Sequence, residues 1–144
     1  MESTDNSIVI QQIFDKPINI VWEAISNPKQ MQQWFFEQIE DFKPEIGFKT
    51  SFVVTVEDRI YTHLWELTDV IPQKKIVYNW KYLEHQGNAN VIFELFEVEN
   101  KTKLVLTNLG LESFPNNIPE FTHQSCVDGW NYFIKNSLKN YLSQ

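Results

Sequence analysis

The spacing of apolar residues changes twice along the chain, near residue 35 and again near residue 119. Before residue 35 and after residue 119, apolar residues recur at three- and four-residue spacing, the period of a helix with one buried face. The exception is a first strand near the N-terminus. Between them, apolar residues favour every second position, which is the period of a β-strand. The pattern therefore predicts a β-sheet between short N-terminal helices and a C-terminal helix.

The C-terminal pattern predicts one amphipathic helix over about residues 120–142. Pro119 and Glu120 suit its first turn, where a missing N–H costs nothing and a carboxylate meets the positive helix end. Gly129 costs about 1 kcal/mol in the middle of a helix relative to alanine. It therefore suggests close approach of another element. The apolar stripe consists of Cys126, Val127, Trp130, Phe133, Ile134, Leu138 and Tyr141.

The N-terminal part of the chain predicts one strand followed by two short helices. Residues 8–14 are rich in residues that favour strands and are bounded by polar ones. Helical spacing follows from Ile18 to Ile25. Asn27 and Pro28 end that helix and start a second one over about 28–34.

Residues 35–111 contain six candidate strands, separated by segments rich in turn-forming residues. The alternation of apolar residues switches face within 59–71, which predicts a β-bulge there. Short connections between the strands imply antiparallel pairing, with one of the turns at Gln86–Asn88. Together with the first strand, the predicted seven-stranded sheet also comprises 36–42, 48–56, 59–71, 75–83, 90–97 and 103–110.

Composition narrows the function classes. The 144 residues predict a single domain, and a net charge of −7 argues against binding a phosphate backbone. No apolar run approaches the length of a membrane span, and the acidic N-terminus lacks the features of a signal peptide. These features, together with a single cysteine, lead us to expect a cytoplasmic protein. We expect it to be either a monomer or a homodimer.

Residue patterns typical of metal, phosphate or covalent chemistry are weak. His63 and Glu66 lie three apart on a predicted strand and point to opposite faces. Four scattered glycines make no phosphate-binding loop. Cys126 and His123 are neighbours on the predicted helix, but we interpret them as an ordinary buried thiol and an ordinary histidine. We therefore expect no metal, no cofactor and no catalytic residues.

The order of elements and several landmarks resemble the START-like or SRPBCC superfamily, which has the helix-grip fold. The closest resemblance is to the family named after the activator of the heat-shock protein 90 ATPase. It covers nearly the whole chain, although that family often has a histidine where Asn108 stands. The landmarks are residues 17–25, Pro28, Trp34, 69–72, 76–80, 91–95, 104–111, Gly129-Trp130, Leu138 and Tyr141-Leu142.

This resemblance implies an α+β fold in which a curved antiparallel sheet of seven strands wraps around the long C-terminal helix, with two short helices after strand 1. It also implies a cavity between sheet and helix. Lipid and sterol carriers, polyketide cyclases and chaperone activators share the fold, so the fold alone does not select a function.

The count of aromatic residues adds to this expectation: five Trp, five Tyr and eleven Phe. They either fill a solid core or line a cavity, and the sequence leaves both open. As walls we predict Phe52, Val54, Trp65, Trp80, Tyr82, Phe93, Leu95, Leu106, Trp130, Phe133 and Ile134. As polar groups that orient a ligand we predict His63, Tyr78, Asn108 and His123.

The function predicted from these residues is non-enzymatic binding of a hydrophobic small molecule. Two alternatives stay open. One is a chaperone-associated protein-interaction module, with the surface around Trp34 and Phe35 as its first candidate patch. The other is a cyclase or hydrolase that uses the same cavity, although no clear carboxylate is predicted inside it.

Overall fold

The structure is a computed structural model that describes residues 7–115 and 117–143. The acidic residues 1–6, on which part of the signal-peptide expectation rests, lie outside the described residues. The strands are β1 (Ile8–Phe14), β2 (Lys49–Val56), β3 (Arg59–Ile71), β4 (Lys75–Tyr82), β5 (His85–Val98) and β6 (Lys101–Leu109). The first helices are α1 (Ile18–Ser26) and α2 (Pro28–Trp34). At the C-terminus lie α3 (His123–Trp130), a π-helical segment (Asn131–Leu138) and α4 (Lys139–Leu142).

The described strands form one antiparallel sheet in the order β1-β6-β5-β4-β3-β2. Together with the C-terminal helix over 123–142, this curved sheet makes the helix-grip fold. Alternate residues of the central strands are buried, as the sequence predicts; in β4 these are Ile76, Tyr78 and Trp80. The predicted bulge in β3 is present between Leu67 and Asp69, where the register with β4 shifts.

The sheet has six strands in the described chain, so the prediction of seven is wrong. The predicted strand 36–42 is an irregular segment without strand pairing. Ile39 and Phe42 are both buried, and their separation of three residues does not fit the two-residue period of a strand. The backbone N–H of Ile39 donates to the carbonyl of Phe36, and the side chain of Gln32 donates to the carbonyl of Ile39. These local hydrogen bonds hold a turn rather than a ladder.

The C-terminal helix begins later than predicted. Pro119–Phe121 forms a separate 3-10 turn, and α3 begins after Thr122, whose hydroxyl accepts a 3.2 Å hydrogen bond from the N–H of Ser125. Threonine is a favoured N-cap because this bond satisfies a backbone donor that the helix leaves free. From Asn131 to Leu138 the helix is π-helical, a wider form that is rare at this length.

The turn between β4 and β5 also differs from the prediction. Tyr82 pairs with His85, so the chain reverses at Leu83 and Glu84, and residues 86–88 lie inside β5. Gly87 has a φ of +107°, and a Cβ there would lie 2.4 Å from the carbonyl oxygen of Ser113. The glycine therefore lets the segment after β6 pack directly on β5.

Side-chain hydrogen bonds join the two short helices to each other and to the C-terminal helix. The indole N–H of Trp34 donates to the carbonyl of Ala24 at 2.7 Å, and the hydroxyl of Ser137 donates to the carbonyl of Trp34 at 2.7 Å. Trp34 and Phe35 are only 2% and 7% exposed. Both side chains therefore belong to the core and do not themselves form the protein-binding patch predicted around them.

Candidate binding pocket

A pocket of about 380 Å³ lies between one end of the sheet and helix α3. Strands β2 to β6 supply one wall, and residues 111–121, between β6 and α3, supply another. Most of the lining side chains are aromatic or aliphatic. The pocket is lined by Phe36, Val54, Val56, Tyr61, His63, Trp80, Tyr82, Ala89, Asn108, Leu111, Phe114, Glu120, Phe121, Ser125, Cys126, Gly129, Trp130 and Phe133.

The aromatic walls support one another through ring contacts. Trp80 lies 5.8 Å from Trp130, ring centre to ring centre, and joins the sheet to the helix. At the other end, Phe121 packs 4.9 Å from Tyr82 and 5.2 Å from Phe114. Edge-to-face and tilted pairs at these separations add to the stabilisation from burial. The walls are therefore fixed by contacts among themselves.

Gly129 forms part of the helical wall. A Cβ placed on it would meet no atom within 4 Å, so the expectation of close backbone approach at this residue is wrong. Its absent side chain instead leaves space that belongs to the pocket. A helical glycine costs about 1 kcal/mol relative to alanine, so the open space is kept at some expense in helix stability.

His63 presents a neutral imidazole to the pocket. Its Nδ1 lies 3.1 Å from the backbone carbonyl oxygen of Tyr61, and a carbonyl can only accept, so Nδ1 carries the proton. The ring stacks on Phe52 at 4.6 Å and 14°, and it is only 4% exposed. Burial lowers the pKa of His63 from 6.5 to about 4. At neutral pH its Nε2 therefore carries a lone pair and no proton.

Asn108 connects the sheet to the helix above it. Its side-chain oxygen accepts a 2.9 Å hydrogen bond from the indole N–H of Trp130, and its amide nitrogen donates to the carbonyl of Asn90 at 3.3 Å. Both Asn108 and Trp130 are buried. The two bonds fix the orientation of the amide, which makes Asn108 first a structural link between β6 and α3.

An ion pair lies at the partly exposed rim of the pocket. Arg59, at the start of β3, donates to both carboxylate oxygens of Glu120, at 3.0 and 2.7 Å. The hydroxyl of Tyr61 donates to the same carboxylate. Hydrogen bonding by Arg59, then by Tyr61, lowers the pKa of Glu120, so this carboxylate stays ionised at neutral pH. The network joins the sheet edge to the turn before α3.

Cys126 lines the pocket from α3, and its thiol points towards the carbonyl of Glu120 at 3.8 Å. Burial raises its pKa from 9.0 to about 11. The thiolate needed for nucleophilic attack is therefore scarce at neutral pH. His123, the other member of the conceivable pair, is exposed and does not line the pocket.

Residues 15–143 match the family model described as Activator of Hsp90 ATPase homolog 1-like protein. The chain belongs to this family. No curated protein sequence matches the chain significantly. The family match over residues 15–143 confirms the resemblance to this family and to the SRPBCC superfamily.

Several solved structures are similar in fold to this chain over nearly its whole length. Mll3558 from Rhizobium loti is 13% identical, covers 94% of this chain and 95% of its own, and has a TM-score of 0.80. CV1439 from Chromobacterium violaceum is 18% identical, with coverages of 96% and 98% and a TM-score of 0.76. PFC0360w, an HSP90 activator from Plasmodium falciparum, is 20% identical, with coverages of 93% and 91% and a TM-score of 0.66. These likenesses establish the shared fold.

Seven of the predicted site residues line the pocket of this family member. They come from four strands and from the C-terminal helix, and they include two of the four predicted polar groups. The seven are Val54, His63, Trp80, Tyr82, Asn108, Trp130 and Phe133.

The other eight predicted site residues do not line the pocket. The ring of Tyr78 lies 4.7 Å from that of Trp65, deep in the core, and His123 points to solvent. Strand parity alone placed the six strand residues among the eight on the inner face, but residues 35–42 cover the other end of that face. The core residues among the eight are Phe52, Trp65, Tyr78, Phe93, Leu95, Leu106 and Ile134.

Sequence analysis missed the wall between β6 and α3, together with Tyr61 and Glu120. Leu111, Phe114 and Phe121 are buried there. Their apolar character in a polar stretch was the available signal. Glu120 pairs with a residue 61 positions away, and no local pattern indicates such a contact.

The described residues contain no group of three or more His, Cys, Asp or Glu side chains arranged to hold a metal ion. Within the same residues, no helix is both long enough and apolar enough to span a membrane.

Proposed function

We propose that the chain binds a hydrophobic small molecule in this pocket without covalent chemistry. The observation that carries the proposal is the pocket itself: about 380 Å³ of space, bounded mainly by aromatic side chains, with a few polar groups. Ligand pockets are typically about 300–1,000 Å³ and have this character. A solid core would have left no such space beside Gly129.

The polar groups of the pocket support binding over catalysis. Among the described lining residues Glu120 is the one carboxylate, and Arg59 neutralises it through two hydrogen bonds. A general base needs a pKa near the working pH and a free lone pair directed at the substrate. The lowered pKa of Glu120 and its two partners make it a poor base, and the raised pKa of Cys126 makes it a poor nucleophile.

Cys126 provides a native reporter for this proposal, because it is the one cysteine of the chain and lines the pocket. We would screen neutral aromatic compounds for two effects: a rise in melting temperature, and slower alkylation of Cys126 by N-ethylmaleimide. A ligand that binds only the folded state at 100 times its Kd stabilises it by about 2.7 kcal/mol.

A compound that raises the melting temperature and protects Cys126 supports binding in the pocket. Alkylation of the urea-unfolded protein, which should be unaffected, is the control. Stabilisation without protection would place the compound elsewhere. Failure of every compound in a broad screen would contradict the proposal.

A second candidate function is assistance to a chaperone. The description of the matching family and the HSP90 activator among the structural neighbours favour it. The test is the ATPase rate of purified heat-shock protein 90 with increasing amounts of this chain. A saturable rise in the ATPase rate would support this function. An unchanged rate, together with failure of this chain to co-elute with heat-shock protein 90 in gel filtration, would exclude it.

A further inference from the structure

We infer that the ligand is a neutral, flat molecule whose hydroxyl or N–H group donates a hydrogen bond to Nε2 of His63. This inference rests on the proposed binding function and adds the class of ligand. Its basis is the fixed polarity of the groups that line the pocket, considered one by one.

A backbone hydrogen bond fixes the tautomer of His63. Nδ1 is held by the carbonyl of Tyr61, so Nε2 is the remaining polar atom of the ring, and no hydrogen bond within the described residues involves it. Aromatic rings surround the imidazole: Phe36 at 5.1 Å, Phe52 at 4.6 Å, Trp80 at 5.4 Å and Tyr82 at 4.8 Å. The lone pair of Nε2 therefore faces an apolar space in which a ligand is its natural donor.

The second step concerns charge near the imidazole. Glu84, in the turn between β4 and β5, is exposed, and its carboxylate accepts from the N–H and the hydroxyl of Thr62. Glu120 is paired with Arg59 and Tyr61 at the rim. Neither carboxylate forms a hydrogen bond with His63. Burial lowers the pKa of the ring by more than the charge of Glu84 raises it, so the neutral form is favoured.

The third step excludes an anionic ligand. Arg59 pairs with Glu120 at the rim through two hydrogen bonds, and the described residues that line the pocket include no lysine or arginine. A ligand carboxylate would lie in an aromatic space without a free cation, where an unpaired charge is costly. A carboxylate would also meet the lone pair of His63, which repels it.

The remaining polar groups discriminate less. The hydroxyls of Tyr82 and Ser125 can each donate or accept, and the indole N–H of Trp80 is a buried donor without a hydrogen-bond partner among the described residues. A ligand hydroxyl can serve that donor with its oxygen while donating to His63. The amide of Asn108 is already bound through both its oxygen and its nitrogen. His63 is therefore the group that distinguishes a ligand with a donor from one without. The ring contacts around it favour a flat, aromatic partner.

The test uses three matched probes: naphthol, which donates; methoxynaphthalene, which cannot donate; and naphthoate, which is an anion. Binding is measured by quenching of tryptophan fluorescence and by calorimetry at neutral pH. For the wild type we expect naphthol to bind about three- to tenfold more tightly than methoxynaphthalene, the usual effect of one net hydrogen bond. Naphthoate should bind most weakly.

The decisive variant is His63→Phe, which keeps an aromatic ring in an aromatic surrounding but removes the acceptor. It should bind both neutral probes and lose the preference for naphthol. His85→Phe is the matched control, since His85 packs on Tyr61 and Phe121 but does not line the pocket; it should keep the preference. His63→Gln retains an acceptor oxygen and should keep a reduced preference for naphthol over methoxynaphthalene. It is the second variant to measure if His63→Phe fails to fold.

The outcomes separate the two proposals. If none of the probes binds the wild type, the proposed function fails, and this inference with it. If the probes bind but naphthol shows no advantage, if naphthoate binds best, or if His63→Phe keeps the preference, the binding function stands and the role of His63 is overturned.

Discussion

The indole N–H of Trp130 donates a 2.9 Å hydrogen bond to the side-chain oxygen of Asn108, joining the C-terminal helix to strand β6. Asn108 is in turn held by the carbonyl of Asn90 on β5. Trp130 also packs edge-on against Trp80 and Phe93. One polar bond and two ring contacts therefore set the position of α3 over the sheet, and with it the width of the pocket.

The first prediction concerns this link. Trp130→Ala should lower the free energy of unfolding by about 3–5 kcal/mol, because it removes a buried indole and leaves a cavity. Trp130→Phe should cost less, about 1–3 kcal/mol, since it mainly leaves the oxygen of Asn108 without a donor. Urea unfolding measures both. An unchanged midpoint for Trp130→Ala would contradict the position of the ring in the core.

A large part of this architecture could be predicted from the sequence. Alternation along β3 to β6 placed the inward residues correctly because a strand sends every second side chain to the same face. The inner face, however, divides into a core end and a pocket end. Which end Trp65 or Trp80 occupies depends on how α2 and residues 35–42 pack, and strand parity carries no information about that packing.

Residues 36–42 show the same limit at the level of one element. Phe36, Ile39 and Phe42 recur every three residues, and this period argued against a strand, although the surrounding β-rich region favoured one. The pairing of Arg59 with Glu120 is a contact between distant parts of the chain, and one sequence alone gives no indication of it.

The second prediction is a pH dependence of stability. The pKa of His63 is lowered from 6.5 to about 4, so the unfolded chain takes up a proton between these values and the folded chain does not. Stability should therefore fall as the pH falls from 6.5 towards 4, with a loss of about 2 kcal/mol between pH 7 and pH 5. The lowered pKa values of Glu120 and Asp69 act in the same direction but at lower pH.

Urea unfolding of wild type and His63→Phe at pH 7 and pH 5 measures this contribution. The variant should lose most of the decline between the two pH values. An equal decline in both proteins would show that another group causes it and that His63 is not a buried neutral imidazole.

The third prediction contrasts two glycines. Gly129→Ala should raise the free energy of unfolding by about 0.5–1 kcal/mol, because the helical backbone gains from alanine and the new Cβ meets open space. Gly87→Ala should lower it by more than about 1 kcal/mol, because φ is +107° and the Cβ would collide with the backbone of Ser113. Thermal and urea unfolding measure both changes. Equal effects of the two substitutions on the free energy of unfolding would contradict the open space at Gly129 or the close approach of Ser113 to Gly87.

The fourth prediction concerns the rim. Glu120→Gln removes the ion pair that joins Arg59 to the turn before α3. We expect faster association and faster dissociation of a neutral fluorescent probe, phenylnaphthylamine, in stopped-flow experiments, with little change in Kd. Glu57→Gln is the control, because Glu57 contacts the same arginine at 3.6 Å from a largely exposed position. Unchanged rates in Glu120→Gln would show that ligands enter elsewhere.

Occlusion of the pocket at Gly129 tests ligand binding most directly. Gly129→Leu adds a side chain to the open space beside the helix, whereas Lys135→Leu adds the same side chain at an exposed position farther along it. Phenylnaphthylamine is titrated into the wild type and both variants, and unfolding is measured in parallel. We predict saturable binding to the wild type and to Lys135→Leu, and loss of binding in Gly129→Leu without loss of stability. Equal binding to all three folded proteins would contradict the assignment of the pocket as the ligand site.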